Sequence, residues 1–103
     1  MKIFGLHMEN TNMETTVFDS LEDFTKRIEW QDLLDNKLII LDESGYIYEW
    51  DKTKTEEYAT TYNYTLIANK RNIELGQLCI QNYALNNCED EFEFEYNNLN
   101  KSH

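Results

Sequence analysis

The sequence predicts an α+β domain: a small antiparallel sheet of about five or six strands with one or two helices packed on one face. Three observations carry this prediction. Residues 38–51 read as an apolar run, the polar break Asp42-Glu43-Ser44-Gly45 and an aromatic run, which is a β-hairpin signal. Asp19 and Ser20 precede Glu22 and Asp23 at the spacing of a helix capping box. Residues 91–96 alternate strictly between glutamate and an aromatic, the period of a strand with two unlike faces. At 103 residues the chain is long enough for one modest core and too short for two, so residues 1–103 are expected to form a single domain.

Taken in order, residues 2–7 alternate weakly and suggest a first strand, followed by a polar turn over 9–12. Thr15, Thr16, Val17 and Phe18 favour a strand that pairs back as a hairpin. A helix follows over about 20–34. Acids in its first turn complement the helix dipole, and Leu21, Phe24 and Ile28 share one face that Trp30, Leu33 and Leu34 continue. Asp35 and Asn36 are expected to end it.

The central hairpin spans 37–41 and 46–51. Gly45 supplies the positive φ its turn needs, and Asp42 and Ser44 are placed to hydrogen-bond the turn backbone. Tyr46, Tyr48 and Trp50 fall on one face of the second arm and read as core. If Ile47 points inward instead, those aromatics form an exposed stripe.

Residues 51–57 are polar and mixed in sign, as in a surface loop, and 61–68 alternate as a strand. From Asn72 two readings stand. Asn72 can cap a helix bearing Leu75, Leu78, Cys79 and Tyr83, although Gly76 inside it costs ~1 kcal/mol relative to alanine. Otherwise the same residues return as a strand. The cap favours the helix. The tail 97–103 is polar and expected to fray.

Charge is the strongest global feature: 20 Asp and Glu against 9 Lys and Arg, net −11, with a sequence pI near 4.4. Such a chain repels phosphate backbones and anionic lipid, so its natural partner is a basic protein surface. The plain alternative is that acidity serves solubility. The sequence has no apolar run approaching ~18 residues. Its first residues do not resemble a secretory leader, so a cytoplasmic location in a bacterial host cell is expected. Twelve asparagines, seven tyrosines, seven lysines and three alanines match an AT-rich coding sequence and suggest a low-GC bacterium or its mobile elements.

Residues for catalysis are few. The histidines are His7 and His103. Ser20, Ser44 and Ser102 read as cap, turn and tail, and three glycines cannot build a phosphate-binding loop. Cys79 and Cys88 lack metal or redox spacing and read as free thiols. The sequence therefore suggests neither an enzyme nor a cofactor or metal.

The specific feature is the row Glu91, Glu93 and Glu95, extended by Glu89 and Asp90. Same-face residues on a strand repeat every ~6.6 Å, so the row presents evenly spaced carboxylates on a rigid support. Like charges so arranged oppose folding, and a basic partner relieves them. Protection of a sheet edge against aggregation is the competing account. Asp19, Glu22 and Asp23, at the start of the first helix, are candidates to widen the same acidic surface.

In size, pI, composition and lack of catalytic residues the chain resembles small acidic phage-encoded inhibitors that mimic DNA, including anti-CRISPR proteins. The resemblance lies in bulk properties of the whole chain and not in a motif. It implies an inhibitor that occupies the basic nucleic-acid-binding surface of a CRISPR, restriction or DNA-repair enzyme. An immunity or antitoxin protein that neutralises a basic toxin enzyme, with tyrosine and tryptophan hot spots inside an acidic rim, is the alternative.

Overall fold

The computed structural model describes residues 1–34, 38–51 and 64–95. Six antiparallel strands form one sheet: β1 (Ile3–Glu9), β2 (Asn12–Phe18), β3 (Leu38–Asp42), β4 (Tyr46–Trp50), β5 (Leu66–Arg71) and β6 (Glu91–Glu95). The order is β5-β4-β3-β1-β2-β6, with helices α1 (Leu21–Arg27) and α2 (Ile73–Leu85) packed on it. This is the α+β sheet that the sequence predicts. No helix among the described residues is long and apolar enough to cross a membrane.

The first hairpin is tighter than expected. Glu9 pairs with Asn12, and Asn10 turns the chain at φ 57°, a conformation asparagine tolerates better than most residues. β1 lies near the middle of the sheet, between β2 and β3, and Ile3, Phe4 and Leu6 are all buried. Alternation divides them between two cores. Phe4, Leu6, Met13, Val17, Leu41, Phe92 and Phe94 meet Leu75 and Cys79 of α2 on one face. Ile3, Phe18, Ile40 and Tyr64 meet Phe24 of α1 on the other. The helices thus lie on opposite faces, where the sequence reading placed the helical layer on one. Each face of β1 is apolar, so each needs a cover.

The helix expected over 20–34 is split. Ser20 caps α1 through its hydroxyl, which accepts from the Asp23 amide at 3.0 Å. At Ile28 the backbone becomes extended (φ −109°, ψ 125°), and a short 3-10 turn, Trp30–Leu34, follows. Tertiary contacts explain the break. The Tyr64 hydroxyl donates to the Ile28 carbonyl, which a continuing helix would offer to Asp32, and Trp30 turns to meet Trp50 with ring centroids 5.5 Å apart. Asp35 and Asn36 lie outside the described residues.

The central hairpin forms over Leu38–Asp42 and Tyr46–Trp50, and Lys37 lies outside the described residues. The Gly45 amide donates to Asp42 O at 2.9 Å, and Asp42 Oδ1 accepts from the Ser44 and Tyr46 amides at 2.8 and 3.1 Å. The Ser44 hydroxyl takes no part in the turn and lies against Met1 Sδ. Tyr48 donates to Asp42 Oδ2 at 2.8 Å, and burial together with this bond pushes its phenol up to about 12. Tyr48 and Trp50 pack in the α1-side core, while Tyr46 stays exposed with the Arg71 guanidinium 4.7 Å from its ring centroid. The strand expected over 61–68 is displaced: Tyr64 and Thr65 precede β5, which runs through Lys70 and Arg71, and 61–63 lie outside the described residues. The tail 97–103 also lies outside them.

Residues 73–85 are helical, and Asn72 is the cap, its side chain accepting from the Leu75 amide at 3.1 Å. The helical glycine has a packing reason. A Cβ on Gly76 would stand 2.8 Å from Gly45 N and 2.9 Å from its Cα, so the first turn of α2 rests directly on the β3–β4 turn. Gly45 takes φ +87°, its carbonyl accepts from the Asn72 amide at 2.8 Å, and Ser44 O accepts from Arg71 Nε at 2.9 Å. Gly76→Ala is expected to destabilise the protein by about 1–3 kcal/mol despite alanine's higher helix propensity, because overpacking outweighs the propensity gain. Gly45→Ala should cost at least as much, since a Cβ there overlaps the Asn72 carbonyl at a positive φ. Urea unfolding of both variants measures this, and an unchanged midpoint for Gly76→Ala would show that the contact is not tight.

Candidate functional site: a carboxylate face on β1, β2 and β6

β6 has two unlike sides. Phe92 and Phe94 are buried, their ring centroids 6.1 Å apart, and Phe92 meets Tyr83 of α2 at 6.3 Å. Glu91, Glu93 and Glu95 are exposed on the opposite side of the sheet, the side that α1 partly covers. The aromatic half of the pattern therefore anchors the strand and holds the acidic half outward, as the alternation predicts.

β6 pairs with β2, with Glu14 opposite Glu93, Thr16 opposite Glu91 and Asn12 opposite Glu95. Glu14 in turn stands opposite His7 on β1, and Glu9 ends the same strand face. By alternation Glu9, Glu14, Glu91, Glu93 and Glu95 all project to one side. They stand about 6.6 Å apart along a strand and about 4.8 Å apart across strands. A shallow groove between β2 and β6 is lined by Glu14, Thr16, Glu91 and Glu93.

The Val17 amide donates to Asp90 O at 2.7 Å, which makes this a hydrogen-bonded pair of the ladder. Pairing alternates along an antiparallel ladder, so Thr15–Phe92 and Met13–Phe94 are bonded pairs and Glu14–Glu93 is a non-bonded pair. In non-bonded pairs the side chains approach more closely, and two carboxylates are thus brought together. The Glu14 carboxyl responds. The protonated Glu14 carboxyl donates a hydrogen bond to Glu9, which holds it above the usual glutamate range; the charges of Glu9 and Glu93 add to the shift, and His7 opposes it. Among the described residues, no Lys or Arg forms an ion pair with Glu9, Glu14, Glu91 or Glu93.

The helix acids differ. Asp19 meets Lys2 Nζ at 2.7 Å, and this contact holds its carboxyl below its ordinary value. Glu22 pairs with Lys26 at 3.0 Å and Asp23 with Arg27 at 3.3 Å, both at i,i+4 spacing. Asp19 just before α1 and Glu22 and Asp23 in its first turn each have a cation of their own, so they add little unbalanced charge. Glu89 and Asp90 are exposed where the chain enters β6, and the Asp90 backbone carbonyl is taken by Val17.

Glu9 and Glu14 were not among the residues that sequence reasoning selects. The signal for Glu14 was the β1–β2 hairpin itself: extending its second arm back to Asn12 puts Glu14 on the same face as Thr16. Its placement beside Glu93 depends on a long-range register that no local pattern encodes.

Other chemistry is sparse. Among the described residues no group of three His, Cys, Asp or Glu is placed to hold a metal ion. Cys79 is buried, and burial pushes its thiol up to about 12, away from the thiolate that nucleophilic chemistry requires, while Cys88 is exposed and free. No protein-family model, curated protein or solved structure matches the chain.

Glu14→Gln is expected to stabilise the protein at neutral pH. Because the folded-state carboxyl binds its proton more tightly than the unfolded chain does, stability declines as pH rises from the ordinary value of 4.5 through the raised one. The denaturant midpoints of parent and variant should diverge across that interval and converge below it. Parallel midpoints at every pH would show that Glu14 bears no excess repulsion.

Proposed function

We propose that this chain is an acidic protein-binding inhibitor that occupies a basic, nucleic-acid-binding surface of another protein, presenting carboxylates where phosphates would otherwise lie. The observation that carries the reading is the face formed by Glu9, Glu14, Glu91, Glu93 and Glu95 on three adjacent strands. Strands held by ladders at their sides and aromatic packing beneath fix the positions of the charges before a partner arrives, which limits the ordering cost of association. Glu9, Glu14, Glu91 and Glu93, with which no Lys or Arg among the described residues forms an ion pair, raise the local negative potential, steer a basic partner and make the encounter sensitive to salt. A cation placed between Glu14 and Glu93 relieves the repulsion that the free protein carries, so the partner is a basic protein, with a nucleic-acid-binding enzyme as the target class.

The alternative of an immunity protein depends on exposed aromatic hot spots. Trp50 packs against Trp30 and Tyr48 is tied to Asp42, so of the three rings Tyr46 alone is exposed, with Arg71 over it, which favours the carboxylate surface.

The test is affinity capture from a low-GC bacterial lysate with the parent and with the triple variant Glu91→Lys, Glu93→Lys, Glu95→Lys, followed by elution with duplex DNA. The variant is expected to fold, because the three side chains point away from the core, and to lose a nucleic-acid-binding partner that DNA displaces from the parent. Equal capture by both proteins, or a partner that neither salt nor DNA displaces, would overturn the assignment.

A further inference from the structure

The outer edge of β6, unpaired among the described residues, adds a second set of recognition groups to the carboxylates. In the β2–β6 ladder Phe92 and Phe94 spend their backbone N–H and C=O groups on β2, as the Val17–Asp90 bond and the register require. Glu91 and Glu93, at the intervening positions, direct theirs away from β2. β6 ends the sheet, and among the described residues no strand pairs with its outer side. The two residues that present carboxylates on the α1 side therefore also present an N–H and a C=O each along the edge. Pairing of an extended segment with such an edge satisfies those groups by main-chain hydrogen bonds, and side-chain identity at alternate positions sets the specificity.

The geometry prescribes that segment. Partner residues directly opposite Glu91 and Glu93 project to the same side as the carboxylates, with Cβ atoms about 4.5–5.5 Å apart. Those positions call for Lys or Arg, because another acid there is repelled and a neutral residue leaves the charges unbalanced. Alternate positions face the α2 side, beside Phe92, Phe94 and Tyr83, and call for apolar residues.

We infer that β6 binds its partner by strand addition, accepting an extended segment in which Lys or Arg alternates with apolar residues. The inference rests on the carboxylate-face reading and adds to it a backbone component that charge alone does not supply. It also accounts for the combination of a rigid acidic row and an edge position, which a purely electrostatic surface does not need.

The experiment uses the full chain and three synthetic peptides of one residue sequence and charge, based on acetyl-Lys-Val-Lys-Val-Lys-Val-Lys-amide. One is unmodified, one is N-methylated at every lysine and one is N-methylated at every valine. In antiparallel pairing, the form used throughout this sheet, the lysine N–H groups bond to β6 and the valine N–H groups point outward. The unmodified and valine-methylated peptides should bind alike, slowing amide exchange at Glu91 and Glu93, and lysine methylation should weaken binding by about tenfold or more. Glu91→Gln with Glu93→Gln should weaken binding of the unmodified peptide while leaving the fold unchanged by circular dichroism. If all three peptides bind equally, association is by charge alone: strand addition is overturned and the carboxylate face stands. If none binds, strand addition is overturned, and the face is judged separately by the capture experiment.

Discussion

A helix of seven residues cannot cover one face of a six-stranded sheet. At 1.5 Å per residue α1 is about 10 Å long, whereas six strands spaced ~4.8 Å apart extend about 24 Å across. On the other face the thirteen residues of α2 reach about 20 Å and carry Leu75, Cys79 and Tyr83 over β1, β2 and β6. The surface that α1 leaves uncovered at the β2–β6 end must therefore be polar. In this chain it is acidic, which turns a shortage of cover into a defined electrostatic surface.

Holding carboxylates side by side opposes folding, and the opposing term lies directly beneath them. Phe92 and Phe94 are almost wholly buried, at roughly 1.5–3 kcal/mol for each such side chain. That exceeds the repulsion of exposed carboxylates, which water and salt screen. One strand thus carries both terms on opposite sides of its backbone. The N-terminal helix handles its acids differently. Lys2, Lys26 and Arg27 lie within reach of Asp19, Glu22 and Asp23, and Ser20 and the acids of the first turn favour helix nucleation in a segment too short to be helical on its own.

What the sequence revealed was local, and what it concealed was distant. The turn at Asp42–Gly45, the cap at Asn72 and the two-sided character of β6 each follow from residues a few positions apart, and each appears in the structure. The break at Ile28 does not, because its cause is a hydroxyl from Tyr64 and a ring from Trp50. Gly76 reads as a defect until Gly45 is found against it. The division of helices between two faces was hidden for a similar reason: continuous apolar residues in β1 leave open which side each helix covers. The site follows the same rule. Glu91, Glu93 and Glu95 form a visible row, whereas Glu14 joins them only through the β2–β6 register, and the Lys2 that engages Asp19 belongs to the other end of the described chain from β6.

That register also sets an order of events. The ladder between β2 and β6 closes the longest loop of any in the sheet, whereas β1 with β2, and β3 with β4, close short ones. Loop closure is costlier and slower the farther apart the paired residues lie, so the short hairpins are favoured early and β6 docks late. Glu9 and Glu14 are then placed on a partial sheet with no counterpart beside them, and the charged surface is completed by the final strand to arrive. Under the proposed function, recognition of a basic partner would in this way be reserved for chains that have finished folding.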